Sequence, residues 1–314
     1  VNIADIRAEF GAYYIDQAQN ASRIYQQVFR PSVTEEIFTP IITDETIWRA
    51  SEARFQRVLQ PFQKAWTPIG QTTFVPVAIQ QFPMKADVEE TPDDLEASWL
   101  GFLASESTDR KTWPFIKWWI ENQIIPQIKQ DLEMNEIYSG SFVAPTAGTA
   151  GAVSTSMDGL KKLITAQVTA GRITPFVTGA LSATDATFVD QVEAFVDGIN
   201  QKYASVAMEL CMNETRARKF KRGYRAKYGN NANFSDTNGK VDFTNITLRP
   251  LPSMNGSNRI FCSPKFNLIR MGKKTKNMNN FQVENVDRKV KIYTDFWTGV
   301  GMVIPEVFFC NDQP

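Results

Sequence analysis

The chain has 314 residues, with 34 Lys plus Arg against 34 Asp plus Glu, a formal net charge of zero, and no histidine. That length allows two or three substructures around a sizeable core, and electrical neutrality gives no long-range field for nucleic acid and does not oppose self-association. Without histidine, Ser-His-Asp and Cys-His nucleophile systems, His-based zinc sites and the two-His facial triad are excluded.

Other chemistry finds little support. Gly272-Lys273-Lys274-Thr275 echoes a phosphate-binding loop, but Lys274 stands where Ser or Thr must follow the lysine and Asn267 where the first glycine belongs. Carboxylates occur in runs, and no spacing singles out an acid–base pair. No catalytic residue, cofactor or metal ligand is assigned. Cys211, Cys262 and Cys310 are few and far apart, which suits buried reduced thiols. No apolar run approaches the roughly 18 residues of a membrane helix, so no membrane partner is expected. The 22 Phe and 7 Trp fit a large core or an extensive interface.

From Ile3 to Phe29, Ile6, Phe10, Tyr13, Ile24 and Val28 recur at helical spacing and predict an amphipathic helix that stops at Arg30-Pro31. Residues 31–96 alternate as strands but carry Pro61, Pro68, Pro76 and Pro83. Such strands must be edges or project outward, and Trp66-Thr67-Pro68-Ile69-Gly70 predicts the turn between them. A hairpin exposing Trp66, Pro68 and Phe74 is an aggregation hazard unless a neighbour covers it. Six acids follow: Asp87, Glu89, Glu90, Asp93, Asp94 and Glu96. They read as a solvated face or as complements to the helix that runs from about Thr112 to Tyr138, with Pro126 expected to kink it.

Ala144 to Ser156 is a small-residue connection; helices are expected from about Ser156 and from about Ala183 to Met208. Seven basic residues fall between Arg216 and Lys227, with Arg218, Lys221 and Arg222 at their centre and Phe220 and Tyr224 interleaved. They suit a solvated helix face, partners for the acidic run of another subunit, or sequence-independent contact with DNA. Asn238-Gly239 and Asn255-Gly256 predict hairpins, and Met271 to Asp287 is read as a Lys/Asn-rich surface loop. Lys289 to Asp312 predicts two strands hinged at Thr298-Gly299, with Val290, Ile292 and Phe296 on the buried face and Gly299 and Gly301 at the turn.

That last stretch, with its basic–apolar alternation, Gly-x-Gly and late Pro305, resembles the C-terminal strand pair of tailed-bacteriophage major capsid proteins. The order of elements does too: arm helix, proline-interrupted hairpin, acidic lead-in, then a spine helix opening Trp113-Pro114-Phe115-Ile116-Lys117-Trp118-Trp119. The resemblance implies an α+β chain of the HK-type capsid fold: an N-terminal arm (1–30), an extended hairpin loop (31–96), a peripheral domain (97–143 and 271–314) and an axial domain (144–270). It implies a structural, non-enzymatic protein of the virion, assembled in the host bacterial cytoplasm into pentamers and hexamers of an icosahedral head around double-stranded DNA. Portal and scaffold or cement proteins would be further partners. Val1 is either a protease-generated terminus or the start of a numbering that omits earlier residues. Neither Lys64 nor Lys85 matches the lysine that some relatives crosslink to asparagine, and no crosslink is expected. Two alternatives stay open: an encapsulin-type nanocompartment shell, and a monomeric α+β enzyme or carbohydrate-binding protein.

Overall fold

The computed structural model describes residues 29–90, 118–229, 239–286 and 289–313. The predicted arm helix, Asp93, Asp94 and the first turns of the spine helix therefore lie outside the described residues. The elements are β1 (Thr39–Ile42), β2 (Ile47–Phe55), β3 (Thr72–Gln80), β4 (Phe82–Glu90), α1 (Ile125–Asp131), α2 (Leu160–Thr169), α3 (Asp185–Asp197), β5 (Met208–Asn213), α4 (Glu214–Tyr228), β6 (Ile246–Leu251), β7 (Phe261–Ser263), β8 (Leu268–Gly272), β9 (Phe281–Val286), β10 (Lys289–Met302) and β11 (Phe309–Cys310). This is an α+β chain. It divides into two compact units, residues 1–32, 85–131 and 278–295, and residues 33–84, 132–277 and 296–314.

In the first unit, β9 and the opening residues of β10 run antiparallel, with Lys289 opposite Val286 and Ile292 opposite Val283. The alternation read from sequence holds: Val290 and Ile292 are buried while Lys289 and Lys291 face solvent. The expected Lys/Asn-rich loop is shorter than its composition suggests, because Phe281–Val286 forms β9. In the same unit, α1 is preceded by a π-helical stretch, Ile120–Ile124. Proline at 126 has no N–H and would press its ring on the carbonyl four residues back. The wider π-helical turns lie directly ahead of it, where that contact would fall.

In the second unit, β1 pairs parallel with β8, and β8 pairs antiparallel with the last residues of β10, from Thr298 opposite Gly272 to Met302 opposite Leu268. The strand thus runs unbroken through Gly299 and Gly301, and the turn expected there does not occur. These glycines serve close approach instead. A Cβ on Gly299 would sit 2.2 Å from the Gln80 carbonyl oxygen, and one on Gly301 would sit 2.5 Å from Ile79 Cδ1. The chain bends further on, in a 3-10 turn at Pro305–Val307.

The other sheet of this unit has the order β11-β7-β5-β6. β5 and β6 are parallel and joined through α4, as a parallel pair requires a long crossover. α3 and α4 cover the sheet: Phe188, Val192 and Phe195 meet Ala217 and Phe220, and Leu210, Met212 and Leu248 complete the core. Gly223 lets the two helices close up, since a Cβ there would lie 2.3 Å from the Asp185 carbonyl oxygen. The helix expected to reach Met208 ends at Asp197. Asn200 then caps a 3-10 turn by accepting from the Lys202 amide at 2.9 Å, and Met208, Leu210 and Met212 are buried as a strand. The Asn255-Gly256 pair makes no hairpin, and Asn238 with the residues before it lies outside the described residues. Gly256 (φ +78°) turns the chain, but β5 lies between β6 and β7. The other reversal centres on Phe243 (φ +60°), closed by the Val241 amide donating to the Ile246 carbonyl at 2.9 Å.

Candidate assembly surface

The feature that stands out chemically is the ribbon of β2 and β3. The two strands pair antiparallel from Ile47 opposite Gln80 to Phe55 opposite Thr72, and among the described residues they form a sheet of two strands. Period-two alternation gives the ribbon two faces. One face, with Trp48, Val77 and Ile79, packs on Ile269 and Met271. The same face carries Glu52, buried and held by Arg54 through Nε at 2.9 Å and Nη2 at 3.2 Å. That carboxylate raises the pKa of Arg54. The other face is open. Pro76 sits on it opposite Ser51, and a two-stranded ribbon, being all edge, tolerates a residue without an N–H.

The base of the ribbon is fixed by Gln81, which is buried. Its Nε2 donates to the carbonyls of Thr43 at 2.9 Å and Glu45 at 2.7 Å, and its backbone amide donates to Thr46 at 2.8 Å. At the tip, Thr67 rather than a Pro-Gly turn organises the reversal: Gln60 Nε2 donates to the Thr67 carbonyl at 2.7 Å, and Gln63 donates to its hydroxyl. Gly70 allows the returning strand to pass Val58, whose Cγ1 would lie 2.3 Å from an added Cβ.

Trp66 and Phe62 are 92 % and 93 % exposed, and Phe55, Leu59 and Phe74 are exposed with them. Pro68 is exposed as well. Of these, Trp66, Pro68 and Phe74 were legible in the sequence. Phe55, Leu59 and Phe62 were missed, although the open-face position of Phe55, in step with Ala53 and Ser51, was there to be read. Phe55, Phe62, Trp66 and Phe74, each two-thirds exposed or more, together offer on the order of 500–800 Å² of aromatic surface.

The basic run forms α4, and much of it faces its own chain. Lys219 is buried and donates to the carbonyls of Ser182 and Ala183, each at 2.6 Å. Lys227 pairs with Asp190 and, at 3.2 Å, with Glu193 of α3; Asp190, Tyr228 and Glu193 hold its ammonium above the ordinary range. Arg222 lies 3.4 Å from Asp185. Arg218 and Lys221 are exposed, with Arg218 Nη2 donating to Thr215 Oγ1 at 3.4 Å. Of the acidic run, Asp87 pairs with Lys85, and Glu89 with Lys289 at 2.6 Å and Lys291 at 3.4 Å. Among the described residues no group of three or more His, Cys, Asp or Glu is placed to hold a metal, and no helix is long and apolar enough to cross a membrane.

No protein-family model and no curated protein sequence matches the chain. Solved structures do. A satellite phage P4 procapsid that includes the size determination protein aligns at TM-score 0.55 and 11% identity, over 98% of this chain and 96% of that one. The capsid of an empty GTA particle aligns at 0.53 and 14%, over 99% and 98%. The chain has the tailed-phage major capsid fold. The capsid of Myoviridae phage XM1 aligns with it at 0.51 and 11%, over 92% and 94%. Within this capsid fold, the ribbon of β2 and β3 and its uncovered tip form the surface with the strongest claim to a partner.

Proposed function

We propose that the chain is a structural shell subunit that self-assembles into pentamers and hexamers of an icosahedral head enclosing double-stranded DNA. One observation carries this: a capsid fold spanning 98% of the chain presents an aromatic-rich ribbon tip that the described residues leave uncovered. Burying those four rings against a neighbour releases roughly 12–20 kcal/mol of gross transfer free energy at about 25 cal/mol per Å², from which the costs of association and ordering are subtracted. No chemistry is needed for such a role; it is performed by repeated contacts.

On this reading residues 31–96 are the reaching loop and 1–30 the arm. Residues 97–143 with 271–314 form the peripheral domain, and residues 144–270 the axial domain. Trp66, Pro68 and Phe74 make the apolar contact. Asp93 and Asp94 face Arg218, Lys221 and Arg222 of another copy, so association weakens with ionic strength. The protein resides in the virion after assembly in the bacterial cytoplasm, alongside portal and scaffold or cement proteins, and touches DNA without sequence specificity.

Negative-stain microscopy tests the proposal. The purified chain is expected to form shells, rings or tubes, and a variant lacking Trp66 to Gly70 to stay soluble and form none. Normal particles from the deletion variant would refute the ribbon's role, and a wild-type chain that stays monomeric at every concentration would refute the shell.

A further inference from the structure

The ribbon of β2 and β3 is lopsided in charge. Residues 47–80 hold four basic side chains, Arg49, Arg54, Arg57 and Lys64, against one acid, Glu52, a net +3. The whole chain is neutral, so its other residues together carry −3. Glu52 already pairs with Arg54 inside the ribbon. Arg49, Arg57 and Lys64 are exposed, and among the described residues their side chains make no ion pair or hydrogen bond. Arg49, opposite Ala78, stands on the open face in step with Ser51 and Phe55. Arg57 and Lys64 flank Phe62 in the chain at the tip. Exposed rings and exposed cations therefore share one surface. Apolar tips alone would bury their rings against one another and join copies ribbon to ribbon. Two such ribbons set +3 against +3 with the one acid of each already paired, and like charges across an interface oppose it. The −3 remainder of a copy attracts the same tip. Nucleic acid is the other polyanion that suits basic and aromatic residues, but a neutral chain has no long-range field to gather it. Aromatic rings with arginine are also the side chains enriched where proteins meet.

We propose that the ribbon docks head to tail: its tip lies on an acidic surface of a second copy, outside that copy's own ribbon, with Arg49, Arg57 and Lys64 facing carboxylates there. The inference rests on the shell-forming reading and names the partner surface of its main contact. A contact between two different patches closes into rings or runs on as a filament, whereas ribbon against ribbon stops at a pair. The cations choose the mode of assembly, and the rings supply its strength.

The test reverses two of the charges, Arg57→Glu with Lys64→Glu, in the full chain. Both positions are exposed, so below the assembly concentration the variant is expected to melt as wild type does. The concentration needed for particles is expected to rise at least about tenfold. Particles at the wild-type concentration would overturn the proposal and leave the shell reading intact, whereas a wild-type chain that never assembles overturns both. A second arm needs no charge reversal. The chain lacking Trp66 to Gly70 keeps the receiving surface, so when added to wild type it is expected to cap growing assemblies and lower the particle yield. An inert deletion chain would show that ribbons meet one another, which refutes docking head to tail. Should the reversed variant not fold, the capping arm decides alone. A fluorescent oligothymidylate probes the other polyanion: binding to wild type that the double reversal abolishes, with assembly unchanged, would assign the cations to nucleic acid and overturn the proposal.

Discussion

Gly299 lies directly against the carbonyl of Gln80, where an added Cβ would come within 2.2 Å of the oxygen. The obstacle is backbone at the end of β3 and cannot rotate away. Gly299→Ala is therefore expected to destabilise the chain by about 1–3 kcal/mol through overpacking, read as a lower urea midpoint at unchanged slope. A midpoint equal to wild type would show that the ribbon's base yields freely.

Two neighbours on α4 should behave oppositely. Lys219 satisfies two carbonyls from a buried position, so Lys219→Ala strands both and is expected to cost roughly 2–4 kcal/mol. Arg218→Ala, on the exposed face, should fall within about 0.5 kcal/mol of wild type. Thermal unfolding of the pair checks this; equal losses would mean that the helix faces are assigned wrongly.

Acid should loosen the strands around Glu89. Hydrogen bonds from Lys289 hold its carboxyl below the usual value of 4.5. A carboxyl with a lowered folded pKa contributes stability above its unfolded value, and the contribution fades as pH falls through the folded one. Glu89→Gln should flatten the stability profile below about pH 4.5 and leave pH 7 little changed, because the pair is exposed and screened. An unaltered acid limb would exclude Glu89 from it.

The three cysteines should be silent until the chain opens. Burial raises Cys262 to about 12 and Cys211 well above its usual range, and Cys310 is buried with them. Thiolate is the reactive form, so a disulfide reagent at pH 8 is expected to label none in the native subunit and all three in guanidinium. Rapid native labelling would show that the sheet of β5, β7 and β11 opens locally.

Much of this was legible in the sequence because periodicity is a local signal. The alternation of Val290 and Ile292, the stripe of Phe188, Val192 and Phe195, and the proline-marked ribbon each follow from residues a few positions apart. Gly299 and Gly301 misled because a glycine needed for a turn and one needed for close approach look alike. Gln80 and Ile79, which decide between them, come from a distant part of the chain. β9 was hidden by its Lys/Asn-rich surroundings.

The packing of Val77 and Ile79 on Ile269 and Met271 also sets an order in time. At synthesis rates of about 5–20 residues per second, the ribbon's inner face leaves the ribosome roughly 10–40 s before the strand that shields it exists. Throughout that interval both faces of the ribbon lie open to other nascent chains. The most dangerous period for this protein is thus its own translation, and slowing elongation after β3 should raise its losses to aggregation.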